Sequence, residues 1–386
     1  MFNNIVDRTN TNCAKWDEAI NQEKIDDLIP LTVADMDFRS SPEIINSLVE
    51  VANHGIYGYT NISEKYITSS ISWIEKYHNW IPKKEWFVYC PRIIQAISMI
   101  IQNFTLKGDK VMVSTPLYSP IQKAIISNER ELVNNDLLLI DNHYEIDFED
   151  FEKKIKSGVK IYICVSPHNP TGRVWTKDEI KKIIEICKKY NVLIVADEVH
   201  ADFIWRGKFT SFGYYLDSYD NIVICSSPSK TFNIPGLEAS NIFIKNEKIR
   251  TKFSNILHNS GIHNPNYFSV FAVEAAYSSS SEWYYFLKQQ LKKNINYVSD
   301  FFDNIKGLRV ISAEGTFLQW IDYRELNITE SELKSILLKS NILVNLGSEF
   351  GDSGLGFLRI NIATPRKTLE KALNSLKHTL MEEGLL

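Results

Sequence analysis

Lys230 stands in the run Cys225-Ser226-Ser227-Pro228-Ser229-Lys230-Thr231-Phe232-Asn233, directly after the apolar stretch Asn221-Ile222-Val223-Ile224. An amine just past the end of a buried strand, among hydroxyls, can be held away from water. There it loses affinity for its proton and serves as a nucleophile or a base. Taken alone, Ser-x-Ser-Lys describes a solvated loop lysine equally well, so the neighbours decide. Three other apolar runs end in polar groups. Val113 leads into Ser114-Thr115-Pro116-Leu117-Tyr118, Val165 into Ser166-Pro167-His168-Asn169-Pro170-Thr171-Gly172-Arg173, and Ala196 into Asp197-Glu198-Val199-His200.

Each of these endings has a plain structural reading: a turn for Asn-Pro-Thr-Gly, a loop acid for Asp197, an interior histidine for His200, packing for Tyr118. An amine, an acid, an amide and an aromatic plate at successive strand ends are harder to assign to structure alone. They are the groups that pyridoxal phosphate (PLP) requires: a lysine to hold the aldehyde, an acid for the ring nitrogen, and an aromatic ring to stack on the cofactor.

The elements that must position these residues are legible in the hydrophobic pattern. Short apolar runs at 86–89, 110–113, 160–165, 192–196 and 222–224 predict strands, and helical periodicity between them predicts helices at 93–104, 119–127 and 177–190. Thr176 and Glu179 are spaced as a capping box for the last of these. The runs are continuous rather than alternating, which predicts a mostly parallel sheet covered on both faces. Ligands of such sheets bind beyond the carboxyl ends of the strands. Upstream, residues 31–38 read as extended, and helices are expected from Pro42 to Val51 and from Glu64 to Trp80. After residue 282 the texture changes to a long helix (283–302), short strands at 308–311, 316–321, 342–344 and 357–362, a helix at 330–340, and a final helix with Thr364 as N-cap and Pro365 as its first residue. The expected organisation is an arm and part of a small domain (1–45), a large domain (46–282), and a small α+β domain (283–386).

Composition narrows the class. The 386 residues carry a formal charge of −4, and the lysines of 177–189 fall on one helix face rather than in a stripe, which disfavours a nucleic-acid partner. The five cysteines form no CxxC pair and no His/Cys spacing for a metal, as expected of thiols in a reducing compartment. No apolar run approaches the ~20 residues that span a bilayer. With an N-terminus lacking the basic and apolar regions of a signal peptide, these features predict a cytoplasmic protein without a metal or a membrane partner.

At the residues quoted, the chain resembles the fold-type I, aspartate-aminotransferase-like PLP enzymes of class I/II. The ordered signature is His168-Asn169-Pro170-Thr171-Gly172, then Asp197, Ser227-x-Ser229-Lys230 and Arg359-x-Asn361. Val33-Ala34-Asp35-Met36-Asp37-Phe38, Gly172-Arg173-Val174-Trp175-Thr176, Asp197-Glu198-Val199-His200-Ala201-Asp202 and Asn361-Ile362-Ala363-Thr364-Pro365-Arg366 are similar to the cystathionine β-lyase/C–S lyase branch. That resemblance implies an α/β fold with a seven-stranded, mostly parallel sheet between helices and a smaller α+β domain.

It also implies roles, position by position. Lys230 would hold PLP covalently, Asp197 would keep the ring nitrogen protonated, Asn169 and His200 would face the ring's phenolic oxygen, and Tyr118 would stack on the ring. Ser227, Ser229 and the backbone at Ile93, Ile94 and Gln95 would bind the phosphate. Tyr59 would reach the phosphate of a neighbouring subunit, which implies a homodimer with shared sites. Arg359 would pair with the substrate α-carboxylate, near Asn169 and the backbone of Val33 and Ala34. Two positions depart from the common pattern. Glu238 stands eight residues after the lysine, where aminotransferases often carry a phosphate-binding arginine, and Arg92 precedes the phosphate helix where the branch commonly has glycine. Arg92 is expected to face solvent, with a phosphate contact as the alternative. The activity implied is β-elimination from cystathionine or another S-substituted cysteine. Transamination by a class I/II aminotransferase and a PLP-bound regulatory or binding role are the alternatives.

Overall fold

The computed structural model describes residues 2–386. Seven strands form the central sheet: β1 (Phe87–Cys90), β2 (Lys110–Thr115), β3 (Glu131–Asp136), β4 (Val159–Val165), β5 (Leu193–Asp197), β6 (Ile222–Ser226) and β7 (Ser240–Phe243). Their spatial order is β1-β7-β6-β5-β4-β2-β3. Five neighbouring strands, β6 to β3 along that order, are parallel, while β7 runs antiparallel to both β6 and β1. The expected mostly parallel, seven-stranded sheet is therefore the observed one.

The continuous apolar runs have the physical meaning assigned to them. Along β5, Leu193 and Val195 enter one hydrophobic core and Ile194 and Ala196 the opposite one. Strands β4 and β6 divide in the same way, with Ile161, Ile163, Val223 and Cys225 on one side and Tyr162, Cys164, Ile222 and Ile224 on the other. Helices Ile93–Phe104 and Ser119–Ser127 cover the first face, and Lys177–Lys189 covers the second. The capping box of the last helix forms as its spacing predicts: Glu179 N–H donates to Thr176 Oγ1 and Thr176 N–H to Glu179 Oε2. The lysines of that helix lie on its exposed side.

A second sheet is antiparallel, in the order β8 (Arg309–Val310), β9 (Leu318–Asp322), β11 (Phe357–Asn361), β10 (Asn345–Leu346). Arg359 occupies the middle of β11, opposite Trp320 of β9 and Asn345 of β10. The 23-residue helix Ser281–Asp303 connects the two parts. Residues Ile29–Pro30 pair in parallel with Ile342–Leu343, so the chain enters the molecule as an extra strand on the C-terminal part.

Several local expectations differ from the structure. Residues 33–38 form no strand but a bent loop. Helix Glu64–His78 stops before Trp80 because Asn79 adopts a left-handed backbone (φ 57°). The last helix is Arg366–Glu382, one residue later than expected. Pro365, extended at ψ 141°, is its N-cap, and Thr364 makes no cap. Strands β3 and β7 and the helix Tyr267–Ser279 were not foreseen. Each strand holds only two adjacent apolar residues, among polar ones in β3 and after Ser-Asn in β7, and the helix is apolar almost throughout, so neither a strand nor a helix period stands out.

Candidate active site

Because β2, β4, β5 and β6 are adjacent and parallel, their carboxyl ends lie along one edge. Tyr118 follows β2, Asn169 follows β4, Asp197 closes β5 with His200 just beyond, and Lys230 follows β6. Asp197 stands in register with Val165 and Cys225 on either side. Four distant stretches of sequence thus meet at one edge by topology alone.

Lys230 lies in the single turn Pro228–Thr231. Ser227 caps that turn: its Oγ accepts Ser229 N–H (3.1 Å) and donates to the Ala239 carbonyl (2.6 Å). The Ser227 hydroxyl proton is therefore already engaged, and in this rotamer the side chain offers no donor to an anion. Lys230 Nζ donates to the Ala34 carbonyl (2.6 Å). Loss of hydration pulls its pKa down to about 8. The charge of Arg359 acts in the same direction, whereas Asp35 and Asp197 act against it.

Asp197 is buried, and its carboxylate accepts one backbone N–H, from Val199 (3.1 Å). Burial pushes its pKa up to about 6, opposed by that hydrogen bond and by Lys230. His200 is also buried, edge-on to Phe317 (5.8 Å), and its Nδ1 has no hydrogen-bond partner. Burial, aided by Lys230 and Arg359, pulls it down to about 3, so the ring is neutral at physiological pH. Its neighbour in the signature, His168, instead bonds Thr171 Oγ1 (2.9 Å) and braces the turn. That turn needs Gly172 (φ 72°), where a Cβ would come within 2.7 Å of Ala313 Cβ.

Arg359 is the least balanced charge in the group. Only 3% of it is exposed, and its Nη1 donates to Asn169 Oδ1 (2.8 Å) and its Nη2 to Asn345 Oδ1 (2.6 Å) and the Thr32 carbonyl (3.0 Å). All three acceptors are neutral, its Nε has no partner, and among the described residues no carboxylate lies within ion-pair distance. Burial pulls its pKa down to about 10. A buried cation without a counter-anion costs several kcal/mol, so the position suits an incoming carboxylate.

The structure also places the remaining predicted residues. Tyr118 is 39% exposed, and its backbone N–H reaches the Asn169 carbonyl (3.2 Å). Ile93, Ile94 and Gln95 form the first turn of a helix that has no side-chain cap, which leaves their N–H groups free for an anion. Ser229 is half-buried beside Lys230. Val33 is 42% exposed and its carbonyl accepts Asn361 Nδ2 (2.6 Å). Tyr59 is 98% exposed, and nothing within one chain brings it to this edge. Arg92 is exposed, as expected, and forms an ion pair there with Glu238 instead of capping the helix. The two departures from the common pattern thus pair with each other. Sequence reasoning missed Thr32, Asn345 and Asn233. Asn233 closes the quoted lysine run, but only the fold shows its side chain binding the backbone of Met36 and Phe38.

A seven-stranded sheet with this edge defines a PLP-transferase class of protein, and comparison with known proteins agrees. The model of the aminotransferase class I and II family matches residues 26–376, and the chain belongs to that family. It is 35% identical over 384 residues to cystathionine beta-lyase PatB of Bacillus subtilis (strain 168), covering 98% of this chain and 99% of the relative. A PLP-bound protein of Clostridium difficile 630, provisionally named an aminotransferase, superposes with a TM-score of 0.94 at 40% identity, over 98% of this chain and 99% of that one. The PLP-bound C–S lyase of Staphylococcus hominis superposes with a TM-score of 0.92 at 32% identity, over 98% of each chain.

One prediction follows from the burial of Asp197. Its folded pKa near 6 lies above the usual value of 3.8, so ionising it opposes folding, and that cost grows from about pH 4 to pH 6 and is full above. In the ligand-free protein, Asp197→Asn should raise unfolding free energy at pH 7 by an amount on the order of 2 kcal/mol, with the difference vanishing below about pH 4. Urea unfolding at several pH values measures it, and equal stability of the two proteins at pH 7 would contradict the assignment.

Proposed function

We propose that the chain is a PLP-dependent carbon–sulfur β-lyase that cleaves L-cystathionine or related S-substituted cysteines to a thiol, pyruvate and ammonia. It works as a cytoplasmic homodimer whose sites are shared. The observation that carries amino-acid chemistry is the buried, anion-free guanidinium of Arg359, which the second sheet brings onto Asn169 at the edge that carries the Lys230 amine. The family membership and the 35% identity to a cystathionine beta-lyase over nearly the whole chain favour sulfur elimination.

The residues fit the cofactor. Asp197 offers a carboxylate with a single hydrogen bond, His200 an unpartnered ring nitrogen, and the helix after β1 an uncapped first turn suited to a phosphate. PLP, when bound, supplies the aldehyde that captures the substrate amine and the ring that accepts electrons from Cα. Arg359 grips the substrate carboxylate through two parallel N–H groups and so fixes which bond at Cα faces the lysine. Lys230, with its pKa near 8, takes the proton from Cα at neutral to mildly alkaline pH. Asp197 holds positive charge at the ring nitrogen in a site that excludes water. Tyr118 flanks the same edge, half-exposed and able to cover a ring. The thiolate then leaves Cβ and can take its proton from the Lys230 ammonium, and the released enamine adds water to give pyruvate and ammonia. Tyr59, fully exposed in one chain, is free to complete the phosphate site of a partner subunit. Five free cysteines, four of them buried, suit a reducing cytoplasm.

A second reading, transamination, is favoured by the name of the Clostridium difficile neighbour. Incubation with L-cystathionine alone, against an amino acid plus 2-oxoglutarate, separates the two. Release of thiol and pyruvate from cystathionine is expected, and turnover only with the keto acid would overturn the proposal. Arg359→Gln should lower kcat/KM for cystathionine by roughly 10–100-fold, the worth of a charge-assisted hydrogen bond of ~1.5–3 kcal/mol. An unchanged kcat/KM would place the carboxylate elsewhere.

A further inference from the structure

The N-terminal segment sends two cations into the loop that carries Ala34. Arg8 forms a fork on Asp35, with Nη2 to Oδ2 at 2.7 Å and Nη1 to Oδ1 at 3.0 Å. The same Nη1 reaches Asp37 Oδ1 (2.7 Å) and the Met36 carbonyl (3.2 Å). Lys15 is 1% exposed, and its Nζ lies 2.9 Å from Asp37 Oδ2 and 3.8 Å from Asp35 Oδ1. Trp16 Nε1 donates to Asp37 Oδ1 (2.9 Å). Burial alone would raise the Asp37 pKa, yet the charge of Lys15 and these hydrogen bonds hold it below the usual carboxylate range. Two acids and two cations therefore form a neutral, largely dry cluster. An ammonium as buried as Lys15 persists only when paired, so this is a fixed joint rather than a passing surface bridge.

On its other side the loop is tied to the reactive lysine. Ala34 O receives Lys230 Nζ (2.6 Å), and Asn233, three residues past the lysine, accepts Met36 N–H (2.8 Å) and donates to the carbonyls of Met36 (2.9 Å) and Phe38 (2.8 Å). The charged groups facing Lys230 are Asp35 from this loop, Arg359 from β11 and Asp197 from β5, with the neutral ring of His200 beside them. Of these, Asp35 alone has its charge offset by residues outside the site.

We propose that Arg8 and Lys15 are positioning residues for Lys230. Their pairing with Asp35 and Asp37 holds the loop so that the Ala34 carbonyl meets the amine, and it sets two positive charges against the Asp35 carboxylate that faces that amine. This rests on the reading of Lys230 as the reacting amine. Loss of Arg8 leaves Asp35 with only the more distant Lys15 ammonium (3.8 Å) against it, so more of its charge is felt at Lys230, and a nearby opposite charge favours the charged amine.

The test uses the full-length chain freed of cofactor, with Lys230 acetylation by acetic anhydride followed by mass spectrometry as a function of pH. Arg8→Gln should displace the Lys230 midpoint upward by roughly half a unit to one unit. The double variant Arg8→Gln/Asp35→Asn, which removes both charges, should return it to the parent value. Lys15→Met should act in the same direction as Arg8→Gln. Should it fail to fold, the Arg8 pair decides alone, because Arg8 is partly exposed and its replacement leaves Lys15 in place. The pH titration of the visible band of the loaded enzyme is a parallel reading and should shift the same way. An unchanged or lowered midpoint in Arg8→Gln, or a double variant displaced as far as the single one, would overturn the proposal. A parent protein that shows no cystathionine cleavage would instead count against the functional reading, with the labelling result still standing.

Discussion

Three consecutive carbonyl groups hold the site together. The oxygens of Thr32, Val33 and Ala34 receive Arg359 Nη2 (3.0 Å), Asn361 Nδ2 (2.6 Å) and Lys230 Nζ (2.6 Å). One short stretch of backbone thereby sets the spacing between a lysine on the central sheet and an arginine on the antiparallel one. Neutral carbonyls suit this task because they orient a buried guanidinium and a partly buried amine without cancelling either charge. The guanidinium and the amine both keep a need for negative charge that only a ligand can meet.

The electrostatics of the cleft follow from the same arrangement. Removal from water is the leading influence on Lys230, Asp197, His200 and Arg359, and it moves each toward its neutral form. On the proposed reading, the ligand brings the missing charges: a carboxylate for Arg359, a cationic ring nitrogen for Asp197 and a phosphate for the first turn of a helix. Groups held in an unfavourable state until the ligand arrives concentrate their interaction energy on the bound complex.

Much of this was readable in the chain, for physical reasons that can be named. The continuous apolar runs of β4, β5 and β6 announced strands buried on both faces, and the polar residues closing those runs announced the edge at which they gather. Strands β3 and β7 were hidden because their polar residues lie among apolar ones, as in Ser240-Asn241-Ile242-Phe243. The Thr32–Ala34 strap was hidden for a different reason: its contribution comes from backbone carbonyls, which carry no side-chain signature. Asn345 lies on a two-residue strand whose pairing with β11 alone brings it to Arg359. The pairing of Arg92 with Glu238 joins residues 146 positions apart, a distance no local pattern spans.

The central claim is that the chemistry of this chain runs through one desolvated amine. Borohydride reduction of the PLP-loaded protein, followed by proteolysis and mass spectrometry of the peptides, tests it directly. The account predicts the pyridoxyl mass on Lys230 and on no other lysine. A label on a different lysine, with Lys230 recovered unmodified, would contradict it.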